Sequence, residues 1–300
     1  MTHPYAAAEY AAGLGHVGAP LAVPEWGGHV LVREAPGGRR DATGTYPLAP
    51  LALDADLAGG LRRLRDAGLV SVVLVADDRL RPGLDALTGA FDVARRFKSH
   101  FVHDRRLGPP AYDKHHRYEI RRAGSRVEAR EIALADHLAA WEALYGELTA
   151  RHGLSGLHAF PYAHHATIAA LPGARTFGAF IDGELVSAHI FATGDGYAMS
   201  HLAASSEAGY RSGAAYALNA LALDALTDCD LINFGGGAGA DDDPADGLVR
   251  FKKGFSNRIA ASWLCGAVLD AAAYAALSAD RADDGFFPAY RGKPAGEAKP

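Results

Sequence analysis

Residues 174–205 read as three strands in series. "ARTFGAFI" meets "ELVSAHIFAT" through Asp182-Gly183, and Gly194-Asp195-Gly196 leads on to "YAMSHLAAS". Glycine and short polar residues supply the positive φ that tight hairpin turns need, so these junctions predict an antiparallel meander. A meander must cover one face to be stable. The next segment, "GYRSGAAYALNALALDALTD", is helical in pattern and apolar nearly all round, as a buried helix should be. "DLINFGGG" then reads as a strand that ends in glycines. This order commits the second half of the chain to a layered α/β fold.

The first half follows a similar order. "GHVLVRE" and "ATGTYPLAPLAL" read as strands around the turn "APGGRRD". Asp54 is placed to cap a helix over "ADLAGGLRRLRDAG". "LVSVVLVA" is a continuous apolar run, expected as a buried strand. A helix is expected near "RPGLDALTGAFDVARR", followed by an extended "FKSHFVHD". After Pro109-Pro110, "AYDKHHRYEIRRAG" forms a helix that Gly124 stops, with Lys114, Arg117 and Arg121 on one side. "RVEAREI" reads as a strand and "ALADHLAAWEALYGELTARHG" as an amphipathic helix. "IAASWLCGAVLD" and "AAAYAALSADR" add a last strand and a last helix. Strands, helix, strand, helix, strand occur in both halves, which suggests a duplicated α/β unit. A chain of 300 residues accommodates two domains.

Composition excludes several classes. The apolar runs are too short to span a bilayer, and the N-terminus lacks the basic start and apolar core of a signal peptide. Cys229 and Cys265 are too few for a disulfide framework and lack metal-ligand spacing, so a reduced, cytoplasmic protein is expected. The net charge of −5 argues against a surface coated with phosphate contacts. Residues 95–130 are nonetheless dense in arginine, which fits either a solvated helix or a local anion-binding face. There is no phosphate-binding G-x-x-x-x-G-K-[ST], no G-x-G-x-x-G between a strand and a helix, no G-x-S-x-G and no H-E-x-x-H. His115-His116 and His164-His165 are adjacent, so a helix splays each pair; they are read as surface residues rather than metal ligands. Asp241-Asp242-Asp243 is read as a solvated acidic loop. No metal or cofactor is expected.

Two stretches carry candidate chemistry. Arg211-Ser212-Gly213 opens the buried helix, where free backbone N–H groups suit an anion, or simply mark a tightly packed helix start. "GLVRFKKGF" (Gly247–Phe255) follows the glycine-rich strand end, with phenylalanines bracketing two lysines. Read on its own, it is a half-buried strand with Lys252 and Lys253 on opposite faces.

Arg117–Ala123 ("RYEIRRA"), the "NFGGG…GLVRFKKGF" pairing from Asn233 to Phe255, Tyr274–Leu277 ("YAAL") and Phe286–Arg291 ("FFPAYR") together resemble the FemAB/FemX-like aminoacyltransferases of the GNAT superfamily. There is no room for the coiled-coil arm of some members, so the compact form is implied. The resemblance implies two tandem GNAT-like domains with mixed, mostly antiparallel central sheets. We place these at residues 1–124 and 125–300, the C-terminal tail packing back on the first. It implies transfer of an aminoacyl group from the 3′ end of aminoacyl-tRNA to the amine of a peptide, a cell-wall precursor or a natural-product acceptor. On the same grounds Lys252 and Phe251 are placed at the junction of donor and acceptor, with Phe255 beside them. Asp104 is placed beside the acceptor amine, with pairing to its neighbouring arginines as the competing reading. Tyr162, His201 and Tyr46 are placed along the acceptor cleft, and Lys114, Arg117 and Arg121 on the RNA. Two other functions stay open. One is an acyl-CoA-dependent N-acyltransferase using Arg211, Ser212 and Gly213 for the pyrophosphate. The other is an inactive GNAT-like binding scaffold.

Overall fold

A computed structural model describes residues 3–79, 81–156, 159–237, 246–282 and 284–295. The acidic run Asp241-Asp242-Asp243 lies outside the described residues. In chain order the first elements are α1 (Ala8–Gly13), β1 (Ala19–Val23), β2 (Gly28–Ala35), β3 (Arg39–Gly44), α2 (Leu57–Asp66), β4 (Ser71–Asp77), α3 (Leu84–Ala90) and β5 (Val93–Asp104). Next come α4 (Lys114–Gly124), β6 (Glu128–Ile132), α5 (Leu138–His152), α6 (Tyr162–Ala170), β7 (Ala174–Ile181), β8 (Glu184–Gly194) and β9 (Tyr197–Ser205). The last are α7 (Glu207–Ser212), α8 (Ala214–Ala225), β10 (Leu231–Asn233), α9 (Gly247–Lys253), β11 (Arg258–Val268) and α10 (Ala271–Ser278).

The chain divides into two compact units whose bounds differ from a cut at residue 124. Tyr5–Phe97 and Ser262–Pro300 form the first; Met1–Pro4 and Lys98–Ala261 form the second. Both contain an antiparallel meander, a helix, and a strand parallel to the last strand of the meander. In the first unit these are β1-β2-β3, α2 and β4; in the second, β7-β8-β9, α8 and β10. Within the first unit β4 takes β11 as its antiparallel neighbour, and within the second β10 takes β5. Pairing between strands so far apart in the chain is why the units are discontinuous in sequence.

In the first unit, Trp26, Leu61, Leu64, Val72, Leu74 and Leu87 belong to one buried cluster. Asp56, rather than Asp54, caps α2 by accepting from the Gly59 N–H at 2.8 Å. The segment "FFPAYR" serves this unit. Tyr290 donates to buried Asp41 at 2.8 Å, Arg291 at 2.5 and 2.9 Å, and Arg33 at 3.0 Å. A buried carboxylate is tolerated when it is paired in this way. Tyr46 also lies here, its carbonyl accepting from the Tyr10 hydroxyl.

The second unit packs Phe177, Phe191, Leu218, Ile232, Phe234 and Phe255 into its own cluster. The Arg105 guanidinium closes the C-terminal end of α8. It donates to the carbonyls of Leu223, of Leu226 at 3.0 Å and of Cys229 at 2.9 Å, so this arginine is structural. Both cysteines are free and buried. Among the described residues no helix is long and apolar enough to cross a membrane.

Other local expectations change as well, among them the strand read over residues 42–53, which ends at Gly44. The helix before β5 stops at Ala90, and the segment Val93–Asp104 is strand because β5 is needed beside β10. The helix over residues 207–225 is broken at Gly213, whose φ is 75°. "GLVRFKK" is a helix, not a strand: Asp246 caps it by accepting from the Leu248 N–H at 2.8 Å, and Val249 turns inward. Finally, His116, His164 and His165 are buried rather than on the surface, each with a polar partner.

Candidate active site

The site is built in the second unit, where two parallel strands part. β10 pairs with β9 only at Leu231–Tyr197, Ile232–Ala198 and Asn233–Met199. β9 runs on to Ser205, while the chain after β10 stays with β5: Phe234 N–H donates to the Phe101 carbonyl at 2.8 Å, and Phe101 N–H to the Gly235 carbonyl at 3.0 Å. Asn233 is the pivot, and it is fully buried. Its side-chain oxygen accepts from the Gly235 N–H at 2.7 Å. Its amide donates to the Tyr197 hydroxyl at 2.8 Å and to His100 Nδ1 at 3.0 Å. Such a satisfied buried network fixes a local backbone course that a polar side chain at the surface would leave loose. Gly235 then adopts φ 77°, the left-handed region that glycine enters without steric cost.

Lys252 reaches this turn from α9. Its ammonium donates to the Gly236 carbonyl at 2.7 Å. A Cβ on Gly235 would stand 3.3 Å from Nζ and 3.8 Å from Met199 Cε, so the lysine tip lies at the point where β9 and β10 separate. Burial pushes its pKa down to about 8, helped by the charge of Lys98 and opposed by Asp246. Lys253 is exposed. The two lysines differ because a helix turns successive residues by about 100°, not because a strand alternates its faces.

His189 on β8 completes the polar surroundings. Burial, and then the charge of Lys252, push its pKa down to about 3. It is therefore a neutral imidazole, and its Nε2 lies 2.8 Å from the Ser200 hydroxyl. So weak a base takes no proton from an ammonium; it serves as a fixed hydrogen-bonding group.

The phenylalanines of the motif have another role. Phe251 and Phe255 lie 5.2 Å apart in edge contact. Phe255 is fully enclosed, packed against Tyr112, His116, Tyr216 and Phe234. They form the seat of α9 and hold its lysine in place.

The remaining sequence candidates separate from this group. Asp104 accepts from Arg106 at 2.7 and 2.8 Å and from Arg258 at 3.3 Å, and those bonds lower its pKa to about 2. It is a poor base and an anchor for its arginine neighbours. His201 turns to α6, its Nε2 3.2 Å from His164 Nε2, and burial depresses its pKa strongly. Tyr162 is 59% exposed at the start of α6 and makes no side-chain hydrogen bond or ring contact among the described residues. At the start of α8, the Ser212 hydroxyl donates to the Gly209 carbonyl at 3.0 Å and Arg211 pairs with Glu207. A Cβ on Gly213 would meet the Glu119 carboxylate at 3.6 Å and Ala123 at 3.8 Å, so α4 covers this helix start. Lys114, Arg117 and Arg121 are exposed along α4. Sequence reasoning missed Asn233, His189 and His116 as contributors. Asn233 stood inside a quoted motif; the two histidines carry no sequence signal that separates them from others.

No protein-family model matches the chain, and no curated protein does. Solved structures do resemble it. FemX superposes with a TM-score of 0.59 at 12% identity, over 82% of this chain and 85% of that one. The DUF2156 C-terminal domain of an Agrobacterium fabrum protein assigned to the lysylphosphatidylglycerol synthetases gives 0.62 at 15% identity, over 89% of both chains. L-PGS from Bacillus licheniformis gives 0.59 at 12%, over 88% of this chain and 93% of that one. Identities this low establish the fold. This chain has the α/β fold of FemX, built here from two repeated units.

Among the described residues no group of three or more histidine, cysteine or carboxylate side chains is arranged to hold a metal ion. The chemistry within reach is that of one shielded cation beside a glycine turn and one neutral imidazole with a hydroxyl. That set suits stabilising negative charge on a carbonyl oxygen, and it offers no nucleophile activated for a covalent intermediate.

Proposed function

We propose that this chain joins an aminoacyl group, delivered as aminoacyl-tRNA, to the amine of a small peptide, a cell-wall precursor or a natural-product acceptor. The observation that carries the proposal is the Lys252 ammonium at the parting of β9 and β10, shielded and held on the Gly236 carbonyl. The ester of aminoacyl-tRNA is already activated, so the reaction needs no nucleotide hydrolysis. A neutral acceptor amine attacks the ester carbonyl, and charge gathers on the carbonyl oxygen. A fixed cation in low-dielectric surroundings stabilises that charge far better than water does. The tetrahedral intermediate then collapses: the C–O bond to ribose breaks, the proton shed by the attacking nitrogen passes to the departing ribose oxygen, and an amide and a free ribose hydroxyl remain.

The tRNA donor is supported by the exposed cations Lys114, Arg117 and Arg121 of α4, the element that packs on α9 through His116. FemX and L-PGS share the fold, which makes acyl-group transfer the natural starting point. An acyl-CoA donor ranks second because α4 and Glu119 occupy the helix start that would hold its pyrophosphate.

The test presents the protein with a pool of labelled aminoacyl-tRNAs and, separately, with acyl-CoAs, each with candidate amines. Product that ribonuclease abolishes, with donor affinity falling steeply as salt is added, is the expected result. Product from acyl-CoA alone would replace the donor, and binding without turnover would reduce the chain to a scaffold.

A further inference from the structure

A helix of seven residues has little stability of its own, yet α9 must hold a buried ammonium in register. Its last carbonyls show how. Those of Arg250, Lys252 and Lys253 accept from the backbone N–H groups of Gly254, Phe255 and Ser256. The carbonyl of Phe251, the residue before the lysine, accepts instead from His116 Nε2 of α4 at 3.0 Å. The same ring places Nδ1 3.1 Å from Asp113 Oδ1.

Both partners only accept. A backbone carbonyl carries no proton. Asp113 is held ionised, its pKa lowered first by the His116 backbone N–H and then by the ring. A neutral imidazole has one N–H, so both bonds together require the doubly protonated ring. A cation is also favoured beside the C-terminal carbonyls of a helix. The fit is close: a Cβ on Gly254 would overlap the imidazole, so only glycine allows the ring to lie there. Rings enclose it on the other sides, with Phe255 at 5.2 Å and Tyr216 of α8 at 5.4 Å. The titratable and charged groups around it are Asp113, His115 at 5.6 Å, Tyr216, whose hydroxyl lies 3.2 Å from His115 Nε2, and Arg250, which acts on Tyr216 from α9.

We propose that His116 is a positioning residue: an imidazolium strung between Asp113 and the Phe251 carbonyl, which fixes the end of α9 and so aims Lys252 at the glycine turn. The claim that this aids transfer rests on the function proposed above; the latch itself does not. The latch holds while the ring carries two protons. A ring with one proton keeps only one of the two bonds.

The experiment combines nitrogen NMR of the histidine rings with acylation of lysines by an amine-directed reagent, read by peptide mass spectrometry. Asp113→Asn is the variant, because asparagine still caps α4 and the residue is exposed. The expected result is a doubly protonated His116 ring in the wild type at neutral pH, reduced to one proton in Asp113→Asn. Lys252 should then acylate roughly tenfold faster relative to Lys253, as losing one charge-assisted hydrogen bond implies. Aminoacyl transfer, where present, should slow roughly tenfold to a hundredfold from misplacement alone. A singly protonated ring in the folded wild type overturns the latch. Unchanged Lys252 reactivity in the variant overturns its positioning role. The expected NMR and acylation without transfer to any acceptor sustains the latch and removes the proposed function.

Discussion

The two repeats of this chain treat the same topological position in opposite ways. In each, the last meander strand runs parallel to the strand after the helix, and the two must part. In the first unit the chain itself fills the divergence. After β3, Thr45 Oγ1 donates to the Leu48 carbonyl at 3.1 Å, and the Ala49 N–H donates to the Val75 carbonyl at 2.8 Å, so residues 48–49 return onto β4. A Cβ on Gly44 would stand 2.7 Å from both Ala49 and Leu74, which leaves no space there. Beyond β4, Asp77 accepts from the Arg79 N–H at 2.7 Å, and Asp78 accepts from Arg81 at 2.8 Å and from Trp263 at 3.2 Å. In the second unit β9 runs on to Ser205, the chain after β10 stays with β5, and a lysine is brought to the gap. One repeat fills the position by packing, and the other places a lysine ammonium there.

The largest test of this contrast is the lysine. Lys252→Ala should lower turnover roughly 10²- to 10³-fold, the loss expected for one oxyanion donor. Lys253→Ala should change it little, and Arg81→Ala in the first unit should lower thermal stability with turnover of the folded protein intact. Equal effects of the two lysine variants would erase the distinction between the repeats. The glycines come next. Gly235→Ala places a side chain at φ 77°, at a cost of roughly 1–2 kcal/mol, and crowds Nζ, so turnover should fall more than stability. Gly44→Ala should do the reverse, destabilising by roughly 1–3 kcal/mol from overpacking; denaturant unfolding and steady-state rates separate the two.

The third test is pH. The ammonium of Lys252 is lost as pH rises past about 8, so turnover should decline on that alkaline limb. Stability should move the other way. The folded pKa lies below the ordinary lysine value of 10.5, so between about 8 and 10.5 the unfolded chain binds the extra proton and stability gains with rising pH. Lys252→Met should abolish that gain in unfolding measurements. The smallest effect belongs to Asp104. Its folded pKa is lowered from 3.8 to about 2, so its ion pairs stabilise the fold above 3.8 and are lost as pH falls through about 2. Asp104→Asn should flatten that acid limb and leave turnover at neutral pH unchanged; a large loss of turnover would return this carboxylate to the chemistry.

Much was legible before any coordinates. The Asp182-Gly183 and Gly194-Asp195-Gly196 turns announced β7, β8 and β9, since turn chemistry and alternation are local signals. Lys252 was singled out only by resemblance to a family motif; its residues read alone did not separate it from a solvated lysine. What was misread depended on distant partners. β1, with Pro20 inside it, carries no strand pattern and exists because β2 pairs with it. "GLVRFKK" alternates well enough for a strand, and only the Asp246 cap and the aromatic seat make it a helix.

By itself, then, the sequence determined the meander, the buried helix and the glycine-rich strand end. Each follows from backbone preference and hydrophobic period over a few residues. Tertiary structure decided which lysine tip is shielded, that Asp104 is tied to arginines, that His116 stands between two acceptors, and that β4 pairs with β11 and β10 with β5. Those outcomes turn on burial and on hydrogen bonds between residues far apart in the chain, such as His116 with Phe251 and Asp104 with Arg258. Desolvation and pairing energies of that kind are properties of an assembled environment, and no local stretch of sequence contains them.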